Sequence, residues 1–222
     1  NAANAAFNYP WGLAVSKNTL YVADTNNQRI RSIDLSSASH TVKTVAGTGV
    51  AGFSGDGGDA LQAKIHSPGG LDVDGQGDLY FGDVLNQRVR MVDFGKGAAV
   101  ISTLAGNGTA GFAGDGGRAT SASLNYPWGV AVSSNRTVAV SDTRNNRIRT
   151  VDKGVITTIA GTGALGYSGD GGAAIDATMA YPWGISYEDD PGNGSDPVIL
   201  FADSANHAVR ELDNKIDAQA SS

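Results

Sequence analysis

Short runs of apolar and β-branched residues alternate with clusters of glycine and small polar residues along the whole chain. In the first copy of this pattern, the runs Gly12–Ser16 and Thr19–Ala23 are separated by two turn-forming residues, which predicts a hairpin. Arg29–Asp34 then alternates apolar and polar residues as a half-buried strand does, and Val42–Ala46 supplies a fourth strand. The pattern therefore predicts four antiparallel strands and negligible helix.

The same pattern occurs four times. The prolines that open the four copies are 58, 59 and 55 residues apart: Pro10, Pro68, Pro127 and Pro182. A fixed period of this length indicates stacked supersecondary units, and four-stranded units repeated around an axis are typical of a β-propeller. We predict one all-β propeller domain over residues 1–222, with blades at approximately 8–66, 67–125, 126–180 and 181–222, the last one incomplete.

Composition agrees with a turn-rich β protein, since the 222 residues include 31 glycines and only 17% charged residues. The formal net charge of −6 and the even spread of the arginines over the repeats oppose a nucleic-acid partner. The absence of cysteine excludes disulfides and thiolate metal sites. No apolar run approaches the ~18 residues of a membrane span, so no membrane insertion is expected.

Each copy resembles the NHL repeat. The pattern is Pro-x-Gly with an apolar-x-Val run, a strand that ends in Asp, and then Asn-x-Arg-apolar-Arg. The added Ala-Gly-x-Gly and Gly-Asp-Gly-Gly linker is similar to the long repeats of teneurins and of some bacterial sensor-kinase ectodomains. The matching residues are Asp24, Asp83, Asp142 and Asp203; Asn27, Asn86, Asn145 and Asn206; and Arg29, Arg88 and Arg147.

The fourth copy departs from this pattern. Ala208 stands in place of the arginine, a polar insertion covers Glu188–Pro197, and no Ala-Gly-Thr-Gly strand follows Asp213, so residues 215–219 would have to form the outer strand. The resemblance implies six blades in the usual closed ring. Four copies therefore leave three alternatives: a four-bladed ring, a part of a larger propeller, or an arc that another chain completes.

The repeated aspartates and arginines are predicted to be structural, because a carboxylate at a strand end can accept turn N–H groups and pair with a guanidinium. Two other interpretations are weaker. The three G-x-G-x-x-G matches, the first at Gly47–Gly52, are not followed by a helix that could bind a pyrophosphate. The acidic turn Asp72–Asp78 lacks the distal glutamate of a calcium loop. We expect no cofactor and no metal.

Aromatic residues near the start of three copies are the candidates for a binding face, together with asparagines of the turn between the second and third strands. They are Tyr9, Trp11, Tyr126, Trp128, Tyr181, Trp183, Asn26, Asn27, Asn145 and Asn146. Antiparallel strand order places both groups on one face, where Tyr and Trp suit protein or glycan contacts. The alternative is that the tryptophans simply pack between blades.

These observations favour a non-catalytic binding or scaffolding module, with a protein partner or self-association and possible glycan contacts. The alternative is an extracellular propeller enzyme, a metal-dependent lyase or lactonase-like protein. No catalytic residue is assigned, because the histidines occupy unrelated repeat positions and no nucleophile elbow is present. Sequons at Asn107, Asn135 and Asn193 are compatible with a secreted glycoprotein and weakly favour an extracellular location.

Overall fold

The computed structural model describes residues 2–95, 97–188 and 198–213. Blade one consists of β1 (Pro10–Ser16), β2 (Thr19–Asp24), β3 (Arg29–Asp34) and β4 (Val42–Ala46). The short strand β5 (Gly58–Asp59) lies in the linker that follows. Blade two contains the strands β6 (Pro68–Val73), β7 (Leu79–Asp83), β8 (Arg88–Asp93) and β9 (Val100–Ala105).

Blades three and four repeat the arrangement. The strands of blade three are β10 (Pro127–Val132), β11 (Val138–Asp142), β12 (Arg147–Asp152) and β13 (Val155–Ala160), and those of blade four are β14 (Pro182–Glu188), β15 (Val198–Asp203) and β16 (Ala208–Leu212). Neighbouring strands pair antiparallel in chain order within every blade. The all-β propeller prediction is confirmed. The predicted outer strand at 215–219 lies outside the described residues.

The linker before blade two adds a strand to that blade, because β5 pairs with the outer strand β9 and makes a five-stranded sheet. In the linker before blade three, a single bridge between Arg118 and Val155 occupies the corresponding place. The linkers before blades two and three thus run along the outer edge of the blade that follows them. Helical structure in the described residues is confined to three-residue 3₁₀ turns.

Every blade has two faces, which we name by direction along the chain: the leading face is turned toward the preceding blade, and the trailing face toward the next. Ala14, Ala23 and Ile30 on the trailing face of blade one are buried against Leu71 and Phe81 on the leading face of blade two. The same arrangement joins blades two and three and blades three and four. The core is therefore a series of three inter-blade layers.

Glycines let the inner strands of successive blades approach closely. A Cβ atom on Gly12 would collide with the carbonyl oxygen of Gly69, and one on Gly129 would collide with the carbonyl oxygen of Trp183. The inner strands therefore pack in the order β1, β6, β10, β14. Within the described ranges, no packing of comparable extent joins β14 to β1.

Candidate functional site

One residue of each blade adopts a positive φ just before the inner strand begins. Tyr9, Tyr126 and Tyr181 occupy this position with φ of 53°, 56° and 50°, in the left-handed region that bulky residues avoid. Hydrogen bonds hold two of them, because the Tyr126 N–H donates to Gln87 Oε1 at 2.7 Å and the Tyr181 N–H to Asn146 Oδ1 at 3.0 Å. Since the acceptor belongs to the preceding blade, these bonds lock both the conformation and the inter-blade geometry.

Three tryptophans that follow the prolines converge at the axis. The Trp11 ring lies edge-on to Trp128 and Trp183, with ring centroids 5.2 and 5.3 Å apart, and Trp128 stacks on Trp183 at 5.4 Å. Tyr9 stacks on Trp11 at 5.8 Å. Tyr9, Trp11, Trp128 and Trp183 therefore form one continuous cluster. Together with Tyr126 and Tyr181, which lie beside Trp128 and Trp183, we call it the aromatic face.

Blade two contributes no ring to this cluster. Ser67 adopts the same positive φ as the tyrosines, and Gly69 takes the place of tryptophan. A Cβ at Gly69 would lie 2.9 Å from the carbonyl oxygen of Trp128, so the third blade already occupies that space. Glycine at this position therefore leaves room for the backbone and the ring of Trp128.

A pocket of about 740 Å³ opens on the aromatic face between blades three and four. Its walls are Trp128, Trp183, Tyr126, Tyr181 and the turns that carry Thr143, Arg144, Ser204 and Ala205. The Arg144 guanidinium lies over the Tyr126 ring at 3.6 Å from the centroid. Tyr181 and Trp183 remain 42% and 37% exposed, so the pocket offers accessible ring surface with a single cation at its edge.

The predicted asparagines of this face are placed differently from one another. Asn26 is near the surface and contacts Asn8 Oδ1 at 3.3 Å. Asn27 and Asn145 instead donate to the carboxylates of Asp24 and Asp142, and Asn146 is buried with both ends of its amide bonded. The fold engages these three side chains, so the aromatic face as we define it excludes them.

The repeated aspartates lie at the centre of a buried hydrogen-bond network. Asp142 accepts from the Asn125 N–H at 2.7 Å, from Asn145 Nδ2 at 2.8 Å and from Arg149 Nη1 at 3.3 Å. Burial raises the pKa of Asp142 to about 6, and these hydrogen bonds oppose the increase. Asp83 occupies the same position in blade two, where burial likewise raises its pKa. Buried carboxylates with this many hydrogen-bond partners are typical of a structural network rather than of an open catalytic site.

Sequence reasoning assigned the structural arginine role to Arg29, Arg88 and Arg147. The structure places these guanidinium groups against backbone carbonyls, with Arg88 donating to Asn86 and Asn107 and Arg147 to Asn145 and Thr162. Arg29 donates to the Thr48 carbonyl. The arginines two residues later, such as Arg90 and Arg149, are fully buried and hold the aspartates. The sequence signal that could have identified these buried arginines is the Arg-x-Arg spacing, in which they are the second arginine.

The acidic turn of blade two is held by hydrogen bonds to one of its own carboxylates. Asp74, in the acidic turn, accepts three backbone N–H groups on Oδ1, and its Oδ2 contacts Tyr80 and Arg136. In the described ranges, no group of three or more His, Asp or Glu side chains is arranged to hold a metal ion.

Two of the three sequon asparagines lie at the surface. Asn107 and Asn135 are exposed, and Asn193 lies outside the described residues. None of the described helices has the length and apolar character that crossing a membrane requires.

A family model described as "NHL repeat" matches residues 7–31 and 124–150, which cover the inner hairpins of blades one and three. The chain is an NHL-repeat β-propeller. It is 29% identical to NHL repeat-containing protein 2 of Gallus gallus over 246 aligned positions, which cover 96% of this chain and 32% of that protein. The chain therefore spans about a third of the length of this relative.

Two solved structures have the same fold at low identity. A structural genomics protein from Bacteroides thetaiotaomicron aligns with a TM-score of 0.69 at 18% identity, over 92% of this chain and 47% of that one. A streptogramin B lyase aligns with a TM-score of 0.58 at 15% identity, over 96% of this chain and 54% of that one. At these identities the likeness concerns the fold alone. The similarity to NHL propellers supports a role as a binding or scaffold module.

Proposed function

We propose that this NHL propeller binds a protein partner through its aromatic face. The observation that carries the proposal is the accessible ring surface of Tyr9, Trp11, Tyr181 and Trp183 around one axis. A contiguous patch of exposed large apolar side chains on a folded domain is typical of an interaction site. Trp and Tyr are also the residues most enriched among the energetic centres of protein interfaces.

The chemistry of the pocket favours a partner segment that inserts an apolar or prolyl side chain. Two stacked tryptophans, two tyrosines and Ala205 offer apolar contact, while Thr143 and Ser204 contribute hydroxyl groups at the edge. Arg144 is already engaged with the Tyr126 ring, so a cationic ligand group would meet a like charge there. Aromatic-lined grooves of this kind suit extended, proline-rich peptides, whose preformed conformation loses little entropy on binding.

The proposal includes an extracellular location, with glycans attached to the exposed residues Asn107 and Asn135. The lyase or lactonase-like enzyme is kept as the alternative, and the fold shared with a streptogramin B lyase is compatible with it. The accessible rings of the aromatic face support the binding proposal, so this face is the site to test first.

The test uses a random peptide phage library as the probe. We expect the selected peptides to be rich in apolar and prolyl residues and to bind Ala205→Arg at least thirtyfold more weakly than the parent chain, which corresponds to about 2 kcal/mol, the effect of a central interface residue. Ala205 is exposed at the pocket wall, so the arginine blocks the pocket without disturbing the tryptophan cluster.

Leu165→Arg provides the matched control, because Leu165 is an exposed apolar residue in the linker before blade four. Peptides that bind both variants as well as the parent chain would refute the proposal. The same conclusion would follow if Trp183→Ala left their affinity unchanged while far-ultraviolet circular dichroism and thermal unfolding showed an intact fold.

A further inference from the structure

Arg144 lies in the turn between the second and third strands of blade three, on the wall of the pocket of the aromatic face. It is the second residue of a three-residue 3₁₀ turn that every blade has at this place. The backbone N–H of this second residue donates to a carbonyl just before the inner strand in all four blades, where the residue is Asn26, Leu85, Arg144 or Ala205. The fold thus uses the backbone of this position in every blade and leaves its side chain free to vary.

The neighbouring positions of the same turn do not vary. Aspartate precedes the turn and asparagine ends it in all four blades, and the asparagine amide donates to the aspartate carboxylate each time. These side chains hold the turn in its conformation. An arginine between them is not required for that purpose, because the other blades form the same turn with asparagine, leucine or alanine there. The packing of the blade therefore does not explain Arg144.

The Arg144 side chain is exposed and yet held in one place. Its guanidinium lies over the Tyr126 ring, 3.6 Å from the ring centroid. Stacking on a ring uses the flat face of a guanidinium and leaves the N–H groups along its edge available. Among the described residues, none accepts a hydrogen bond from these groups and no carboxylate pairs with them. Arg144 is thus an ordered cation whose hydrogen-bonding capacity the fold does not use.

Arg147, three residues later, shows how a stacked arginine is used when it serves the fold. Its guanidinium lies 3.7 Å from the centroid of the Phe112 ring, which is close to the distance for Arg144. Its Nη1 and Nη2 also donate to the carbonyls of Asn145 and Thr162, at 3.1 and 2.6 Å. The two arginines have the same kind of ring contact, but in the described part of the chain only the Arg147 guanidinium has hydrogen-bond acceptors.

The pocket wall around Arg144 has no negative charge to balance the cation. The described residues that form the wall include one arginine and neither aspartate nor glutamate. Asp142, two residues away in the sequence, is fully buried and pairs with Arg149 at 3.3 Å. The wall is therefore positive, although the whole chain has a net charge of −6. Charge complementarity favours a ligand with a negative group beside its apolar part.

We propose that Arg144 pairs with an acidic side chain of the partner segment and thereby selects among the apolar peptides that the pocket accepts. The proposal rests on the binding role of the aromatic face and adds the charge of the ligand to it. A carboxylate in the plane of the guanidinium can accept two parallel N–H bonds, which are stronger than hydrogen bonds between neutral groups. The preferred ligand is an extended segment with an aspartate or glutamate close to its apolar or prolyl anchor.

The test uses peptides selected on the parent chain from the random phage library and then synthesised with an amidated C-terminus. Each acidic peptide is compared with a copy in which asparagine or glutamine replaces the acidic residue. We expect the acidic peptide to bind the parent chain at least about tenfold more tightly than its amide copy, and Arg144→Gln to abolish this difference. Lys153→Gln is the matched control that should retain it, since it removes one exposed positive charge of the same blade outside the pocket.

A charge reversal distinguishes a direct ion pair from a change in the shape of the pocket. The Arg144→Glu chain should bind a third copy of the peptide, with lysine in place of the acidic residue, more tightly than it binds the acidic original. The parent chain should show the opposite order. The same order in both chains would overturn the proposed pair.

The Ala205→Arg variant shows whether a failure concerns the acidic preference or the face itself. If Ala205→Arg abolishes binding but the acidic peptide and its amide copy bind equally, the face is a binding site and the acidic preference is wrong. A selection that yields no acidic peptides gives the same result, and so does a difference that persists in Arg144→Gln. Peptides that bind Ala205→Arg unchanged would refute both proposals. Binding that requires a free C-terminal carboxylate would replace the acidic side chain by a chain end.

Discussion

The interior and terminal faces of the propeller carry similar residues in very different surroundings. Leu71 and Leu13 occupy one position of the repeat, and so do Ile148 and Val209, yet in each pair the first residue is buried and the second is exposed. Arg149 has two carboxylates, whereas Arg31 has one among the described residues. In a repeat protein the identity of a residue therefore does not fix its energetic role, because the neighbouring repeat supplies half of its environment.

The largest difference is expected between two arginine variants. Arg149→Ala should lower the free energy of unfolding by about 3–5 kcal/mol, because it leaves the buried Asp142 carboxylate without its cation. Arg31→Ala should cost less, about 1–3 kcal/mol, since it also leaves the buried Asp24 carboxylate without its cation but the Arg31 side chain is partly solvated and pairs with one carboxylate. Urea denaturation with a shared m-value measures both. Equal losses would show that the interior arginine gains nothing from its second carboxylate.

A pair of leucine variants tests the apolar part of the comparison. Leu71→Ala removes a buried side chain from the layer between blades one and two and should destabilise the chain by about 2–5 kcal/mol. Leu13→Ala changes an exposed side chain and should stay within about 0.5 kcal/mol. Thermal unfolding followed by circular dichroism distinguishes the two. A large loss for Leu13→Ala would mean that something covers this face in solution.

Two glycine variants test the close approach of the inner strands. Gly129→Ala places a methyl group against the Trp183 carbonyl and should cost about 1–3 kcal/mol, the usual effect of overpacking. Gly184→Ala has open space around the new methyl and should be neutral within about 0.5 kcal/mol. If the two variants melt together below the parent chain, blade four has a neighbour that the described contacts do not include.

A further effect concerns pH. The pKa of Asp142 is about 6 in the folded state, above the value of about 4 in an unfolded chain. Between these values the folded state binds more protons, so stability should fall by about 2 kcal/mol as pH increases from 4 to 7. Urea midpoints across this range provide the measurement. The slope should be shallower in Asp142→Asn, and an identical slope would exclude Asp142 as its source.

Much of the architecture could be predicted from the sequence because the repeat is strongly periodic. The prolines mark the starts of the inner strands, and alternation within Arg29–Asp34 corresponds to β3. The pairing of β5 with β9 was not predictable, because two residues of glycine-rich linker carry no strand pattern. Neither was the contact of Trp11 with Trp183, since it depends on how far blade one lies from blade four across the axis.

The pairing of β5 with β9 also bears on aggregation. An outer strand presents unpaired N–H and C=O groups on which the strand of another molecule can grow, and natural proteins protect such edges. Here the connection between blades covers part of the edge of the blade that it precedes, and the Arg118–Val155 bridge does so at one point in blade three. A linker of this kind in an added repeat would cover part of the strand edge that the repeat exposes, which leaves less of that edge open to growth by another molecule.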